Sequence, residues 1–117
     1  MKKRMLIVDD MSFVADSIQN ALSQHFIADT ANSALQALQM LAQRQYDGIL
    51  VDVRLDGGVG GLELTQRLRA SGMRVKILVM SAYTPDDAVR RRTQELGATY
   101  IPKPASTEEI CRAMEVE

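Results

Sequence analysis

Aromatic residues and cysteine are scarce in this chain of 117 residues. Tryptophan is absent and aromatics make up only 4% of the sequence, so a core built from its 46% hydrophobic residues must be mainly aliphatic. The single cysteine, Cys111, excludes an internal disulfide framework and fits a reducing compartment. We expect its side chain to be a small buried hydrophobe rather than a reactive thiol.

The chain also has little net charge and no long apolar run. Fourteen Lys and Arg against fifteen Asp and Glu leave a net charge of −1, which argues against binding of nucleic acid or an anionic membrane through bulk charge. No apolar run approaches the roughly 20 residues of a membrane span. The short apolar run at residues 5–8 is well below the roughly 7–15 residues of a signal-peptide core. We therefore expect a cytoplasmic protein.

Apolar residues follow two alternating patterns, and this alternation predicts the fold class. Short runs without polar alternation are typical of parallel strands covered on both faces, whereas apolar residues three or four apart are typical of helices. Five strands are predicted, each followed by a helix, at residues 5–8, 26–30, 48–51, 76–80 and 99–101. The sequence thus predicts one doubly wound α/β domain over residues 1–117, with a five-stranded parallel sheet and five helices.

Capping signals agree with these boundaries. Ser33 is predicted to cap the second helix, and the Thr-Pro-Asp-Asp segment at 84–87 to begin the fourth. Gly97 is placed to end the fourth helix, and Ser106 with Glu109 forms a capping-box pattern for the fifth. Three consecutive arginines at 90–92 are expected to form a solvated face of the fourth helix.

Polar residues that could carry chemistry follow four of the five predicted strands. In an open parallel sheet, ligands bind beyond the carboxyl ends of the strands. Each residue alone has an ordinary explanation as a helix cap, a turn residue or a solvated lysine, but their coincidence at strand ends predicts a site. These residues are Asp9, Asp10, Asp52, Ser81 and Lys103, together with Ala82, of which only the backbone N–H is polar.

Three carboxylates at one sheet edge suit a divalent cation and phosphoryl chemistry. Their mutual repulsion is relieved by a hard cation, and Mg²⁺ binds one or two carboxylates while leaving room for a phosphoryl oxygen. A carboxylate beside such a metal can attack phosphorus and form an acyl phosphate. Lys103 would pair with a second phosphoryl oxygen, and the Ser81 hydroxyl and Ala82 backbone N–H would serve the third.

As a set with these separations, the strand ends resemble the receiver domain of bacterial two-component response regulators, including chemotaxis regulators. The matching segments are MLIVDD at 5–10, LVD at 50–52, VMSA at 79–82 and YIPKP at 100–104. The resemblance covers the chain from about Arg4 to its end. It implies a flavodoxin-like strand order of 2-1-3-4-5.

The resemblance implies a signalling switch with phosphoryl chemistry directed at itself, rather than a turnover enzyme. Asp52 would be the phosphoacceptor, receiving a phosphoryl group from the phosphohistidine of a sensor histidine kinase or a phosphotransfer protein. Asp9, Asp10 and Asp52 would hold Mg²⁺, with the backbone carbonyl of Arg54 as a further ligand.

A switch pair and a partner surface are also implied. Ser81 would move toward the new phosphoryl group, and the ring of Tyr100 would turn into the vacated space. This would reshape the surface of the fourth helix, fifth strand and fifth helix, where partners bind and a dimer could form. We expect no output domain within residues 1–117, although a longer protein could carry one after them. The Lys103–Pro104 bond is expected to be cis.

The segment after Asp52 departs from the family's usual pattern. Asp56 replaces the expected proline, and a loop rich in glycine at 57–61 is one residue longer. We favour a tolerated insertion; the alternative is a mobile loop that orders only with metal or a phosphoryl group. Arg54 and Tyr83 would flank the phosphoryl group, where they either hinder the hydrolysing water or are solvated without effect.

Two other functions stay open at this point. A pseudo-receiver would use the same fold for interactions that do not depend on phosphorylation. The altered loop is its only support, and the intact set of strand-end residues argues against it. A small hydrolase or nucleotide-binding domain would need a general acid or base and a substrate pocket, and the sequence indicates neither.

Overall fold

Strands and helices alternate along the chain, as the apolar pattern predicts. The structure, a computed structural model, describes residues 1–55, 59–82 and 88–115. The strands are β1 (Lys3–Val8), β2 (Phe26–Ala31), β3 (Gly48–Asp52), β4 (Lys76–Ser81) and β5 (Thr99–Pro102). The helices are α1 (Ser12–Leu22), α2 (Ala34–Gln43), α3 (Gly61–Ala70), α4 (Ala88–Glu95) and α5 (Thr107–Ala113). Each predicted strand is present and is one or two residues longer than the apolar run that predicts it.

The five strands form one parallel sheet in the order β2-β1-β3-β4-β5, which confirms the predicted fold class and strand order. The chain passes from β1 to β2 on one side and then returns to build β3 on the other side of β1. The strand order therefore reverses between β1 and β3, and the carboxyl ends of these two strands flank the position where such sheets bind ligands.

The sheet separates two aliphatic cores, which explains why its strands carry no polar alternation. Successive side chains of a strand point to opposite faces, so each central strand contributes to both cores. The first core lies against α1 and α5 and includes Met5, Ile7, Leu50, Leu78, Met80, Leu22, Ile110 and Cys111. The second lies against α2 and α3 and includes Leu6, Val8, Ile49, Val51, Ile77, Val79, Leu64 and Leu68. Burial of Cys111 in the first core confirms its expected role.

The predicted capping residues are found at three helix ends. The Ser33 hydroxyl accepts the N–H of Gln36 at 3.0 Å, and Ser106 and Glu109 form the predicted capping box. Gly97, which follows α4, has a φ of 67°, a conformation that glycine adopts without strain. The cap predicted at 84–87 lies outside the described residues. Within the ranges given above, no helix is both long enough and apolar enough to cross a membrane.

Gly61 begins α3 and lies directly against the backbone of Asp52. Its N–H donates to the carbonyl of Val53 at 3.0 Å, and a Cβ on Gly61 would overlap the backbone carbonyl of Asp52. The assignment of residue 61 to the loop is therefore wrong: it belongs to α3, and glycine is needed there for close approach rather than for flexibility. Residues 57 and 58 of the predicted loop lie outside the described ranges.

Replacing Gly61 with alanine is expected to destabilise the fold although alanine has the higher helix propensity. The added methyl group must displace the backbone of Asp52 or the start of α3, and such overpacking costs about 1–3 kcal/mol. Gly60→Ala is the matched control, because its Cβ would stand 3.3 Å from the Val53 carbonyl oxygen and needs only a small adjustment. Urea unfolding of both variants measures the difference. Equal losses, or a gain for Gly61→Ala, would contradict the close approach.

Candidate functional site

The sheet register brings the predicted residues to one edge. Val8 pairs with Val51, so Asp9, directly after β1, lies at the level of Asp52, the last residue of the neighbouring β3. Hydrogen bonding between β4 and β5 continues beyond Pro102, where the Lys103 N–H donates to the carbonyl of Ser81 at 2.7 Å. Lys103 is therefore held beside the end of β4 by backbone geometry.

Asp52 is nearly buried and both of its carboxylate oxygens are bound. Its side chain is 10% exposed, Oδ1 accepts the backbone N–H of Arg54 at 2.9 Å, and Oδ2 accepts from the ammonium group of Lys103. The peptide bond between Lys103 and Pro104 is cis, as the resemblance implies. The fixed orientation of this carboxylate beside a cation suits a nucleophile for an anionic group.

Asp9 is the most unusual carboxylate of the edge, because it is buried and only half satisfied. Its Oδ1 accepts the backbone N–H of Met11 at 2.9 Å, whereas Oδ2 is buried without a hydrogen-bond partner among the described residues. Burial raises the pKa of Asp9 above its ordinary value; the Met11 hydrogen bond lowers it, and the negative charge of Asp52 raises it further. The charge of Lys103 opposes these increases only in part, so additional positive charge would stabilise the Asp9 carboxylate.

The donor set fits a hard cation held by one or two carboxylates. Mg²⁺ needs no more than that from a protein, since it keeps several waters, and the unpartnered Oδ2 of Asp9 is a free carboxylate oxygen. Asp10 is partly exposed, and no group of three His, Cys, Asp or Glu side chains is arranged to hold a metal ion in the described ranges. A cation site built from all three carboxylates therefore stays a prediction.

Neither predicted switch residue is hydrogen-bonded to Asp52: Ser81 ends β4 at this edge, whereas Tyr100 pairs with Val79, two residues before the end of β4. Ser81 is buried, and its hydroxyl donates to the carbonyl of the exposed Ala82 at 3.2 Å. Tyr100 is partly exposed, and the guanidinium carbon of Arg90 lies 5.1 Å from the centroid of its ring. The roles of Ser81, Ala82 and Tyr100 toward a phosphoryl group stay predictions.

Two backbone groups that hold the carboxylates were missed at the sequence level. Asp9 and Asp52 each accept the N–H of the residue two positions later, Met11 and Arg54 respectively. Aspartate makes this local turn readily, so an Asp that directly follows a strand is a usable signal for it. The Arg54 side chain is exposed, and Tyr83, its predicted companion beside the phosphoryl group, lies outside the described residues.

Comparison with known families gives a match over nearly the whole chain. The family model for the response regulator receiver domain matches residues 5–115. The protein named response regulator MprA from Mycobacterium ulcerans (strain Agy99) is 36% identical over 121 residues, which cover 97% of this chain and 49% of that protein. Its counterpart from Mycobacterium leprae (strain TN) is 37% identical over 114 residues, covering 92% and 47%. The chain thus spans about half the length of the curated relatives it matches.

Solved structures show the same fold at lower sequence identity. The receiver domain of Francisella response regulator 1452 has a TM-score of 0.88 and 21% identity, with 97% of this chain and 94% of that one covered. Vibrio cholerae chemotaxis protein CheY4 has a TM-score of 0.85 and 20% identity, with 98% of both chains covered. At these identities the likeness concerns the fold.

Changing Asp9 to asparagine is expected to stabilise the metal-free protein near neutral pH. Asparagine keeps the oxygen that accepts the Met11 N–H but removes a buried charge, whose incomplete compensation costs about 1–3 kcal/mol. A carboxyl whose folded pKa is raised destabilises the fold increasingly as pH rises from its ordinary value of 3.8 through the raised value. The gain in Asp9→Asn should therefore be full near neutral pH and fade toward pH 4.

Thermal unfolding in EDTA at several pH values measures this gain. Asp10→Asn is the matched control, since Asp10 is adjacent but partly exposed. A destabilised Asp9→Asn, or a gain that does not shrink as the pH falls, would show that the Asp9 charge is already compensated.

Proposed function

The chain belongs to the response regulator receiver domain family, and on this premise we propose that it is a phosphorylation-activated signalling switch with Asp52 as its phosphoacceptor. The proposal is supported by the burial and the bonding of the Asp52 carboxylate. It is nearly buried, hydrogen-bonded to a backbone N–H on one oxygen, and paired with Lys103 on the other. Asp9, a second buried carboxylate, directly follows the neighbouring strand at the same level.

The proposed step transfers a phosphoryl group from a phosphohistidine to Asp52. A carboxylate oxygen of Asp52 attacks phosphorus, the phosphorus–nitrogen bond breaks, and the imidazole nitrogen departs with the electron pair and binds a proton. The product is an acyl phosphate. Lys103, which pairs with Asp52, would neutralise one phosphoryl oxygen. The Ser81 hydroxyl and the Ala82 N–H would bind another.

The same edge would bind Mg²⁺ through Asp9, Asp10 and Asp52 together with the backbone carbonyl of Arg54. When bound, the metal would supply positive charge for the phosphoryl oxygens. Asp9 contributes a buried carboxylate oxygen that has no other partner among the described residues. The backbone N–H of Met11 fixes the orientation of this carboxylate, so Asp9 is oriented without help from a ligand.

A protein partner, rather than a small substrate, is proposed as the physiological phosphodonor. The start of α1, directly after Asp9 and Asp10, presents Met11 at 60% and Phe13 at 80% relative exposure. Exposed apolar side chains of this size, next to polar groups, are typical of protein interaction surfaces. A histidine kinase or phosphotransfer protein that docks there would bring its phosphohistidine to the edge that carries Asp52.

The output of the switch would lie on α4, β5 and α5, as the movement of Ser81 and Tyr100 would alter that surface. Because the chain spans about half of its curated relatives, we propose that these helices communicate with an output domain in a longer protein or form a dimer. We propose that residues 1–117 do not bind nucleic acid directly. We propose a cytoplasmic location, since the phosphohistidine donors of two-component pathways act there.

Incubation with acetyl phosphate and Mg²⁺ should add one phosphoryl group to the chain, detected by intact mass. Asp52→Ala should abolish the adduct because it removes the nucleophile, and EDTA should abolish it in the parent protein. Asp16→Ala is the matched control, since Asp16 is an exposed acid on α1 and the adduct should persist there. An adduct that survives Asp52→Ala would contradict the assignment. A folded parent that acquires no adduct would favour the pseudo-receiver.

A further inference from the structure

Arg90, in the first turn of α4, lies over the face of the Tyr100 ring on β5. Its guanidinium carbon is 5.1 Å from the ring centroid, which is within the roughly 6 Å range of a cation–π interaction. The neighbouring residue Arg91 is exposed and has the same charge, so it provides a direct comparison. The contact joins a helix of the proposed output surface to the ring of the proposed switch pair.

The opposite end of α4 is fixed to the rest of the fold by Arg69 of α3. Its guanidinium donates to the carbonyls of Leu96 and Gly97, at 2.9 and 3.0 Å, directly after α4. The same group donates to the carbonyls of Met73 and Val75, at 3.0 and 2.8 Å, on the segment that leads into β4. These four bonds tie the carboxyl end of α4 to two other elements.

The middle of α4 packs against the rest of the fold, since Thr93 is completely buried. Its hydroxyl donates to the Val89 carbonyl at 2.7 Å within the helix. The first turn of α4, which carries Arg90, is thus the part of the helix farthest from the Arg69 bonds.

We propose that Arg90 is a positioning residue that couples the orientation of the Tyr100 ring to the first turn of α4. This inference rests on the proposed function, in which the ring turns inward beside Ser81. The guanidinium covers a ring that is partly exposed, and an inward turn would withdraw that face from it. Arg90 therefore favours the partly exposed orientation and opposes the phosphorylated form. A cation–π contact at an exposed site biases such an equilibrium about two- to fivefold.

The coupling predicts that Arg90→Ala tightens binding of beryllofluoride, a stable stand-in for the phosphoryl group, about two- to fivefold in the presence of Mg²⁺. Arg90→Lys, which keeps a cation, should lie between the parent and Arg90→Ala. Arg91→Ala removes the same charge and should bind as the parent does. A general charge effect would have the opposite sign, since losing a cation weakens anion binding.

A second measurement monitors the environment of the Tyr100 ring in the absence of beryllofluoride. In protein labelled with fluorotyrosine, Arg90→Ala should shift the Tyr100 resonance, assigned by its loss in Tyr100→Phe, whereas Arg91→Ala should not. In a Tyr100→Leu background, Arg90→Ala should no longer alter beryllofluoride affinity. The coupling would be overturned, and the proposed function kept, if the parent bound beryllofluoride but Arg90→Ala and Arg91→Ala had the same beryllofluoride affinity and the same Tyr100 resonance. If the parent chain bound none, the proposed function would fail and the coupling with it.

Discussion

The pairing of Asp52 with Lys103 is the interaction on which the site depends. Lys103 stabilises the nearly buried Asp52 carboxylate by its charge. It reaches Asp52 because β5 pairs with β4 and the backbone bond from Lys103 to Ser81 extends that pairing. The lysine is also partly exposed, which leaves it accessible to an incoming anion. The parallel sheet, with β3, β4 and β5 side by side, is the framework that makes this single contact available for chemistry.

Asp9 and Asp52 have different hydrogen-bond partners, which suits them to different roles in the site. Asp52 has a partner on each oxygen, whereas Asp9 has a backbone partner on one oxygen and none on the other among the described side chains and backbone groups. The charge of Asp52 is therefore compensated by Lys103 and its carboxylate is oriented. The negative charge of Asp9 is compensated only in part. An edge of this kind attracts cations and would tolerate an anion only when a cation accompanies it.

Much of the fold could be predicted from the sequence because its determinants are local. The runs at 5–8, 48–51 and 76–80 show no polar alternation because their side chains fill cores on both faces of the sheet, and Ser33 and Ser106 cap the helices that they precede. Other features depend on contacts between distant segments. The close approach of Gly61 to Asp52 required the packed structure. So did the contact of Arg90 with Tyr100, although Arg90 and Arg91 are exposed as the predicted solvated face requires.

The anchoring of both ends of the segment after β3 has a consequence for protein engineering. The Val53 N–H is bound to the Met80 carbonyl, and the Gly61 N–H returns to the carbonyl of Val53, so the chain leaves and rejoins the fold at nearly the same place. Both bonds involve Val53, so the residue after Asp52 is held to β4 through its N–H and to the start of α3 through its carbonyl. We expect a short epitope inserted between Leu55 and Val59 to leave β3 in place, because both anchoring bonds lie outside the insertion.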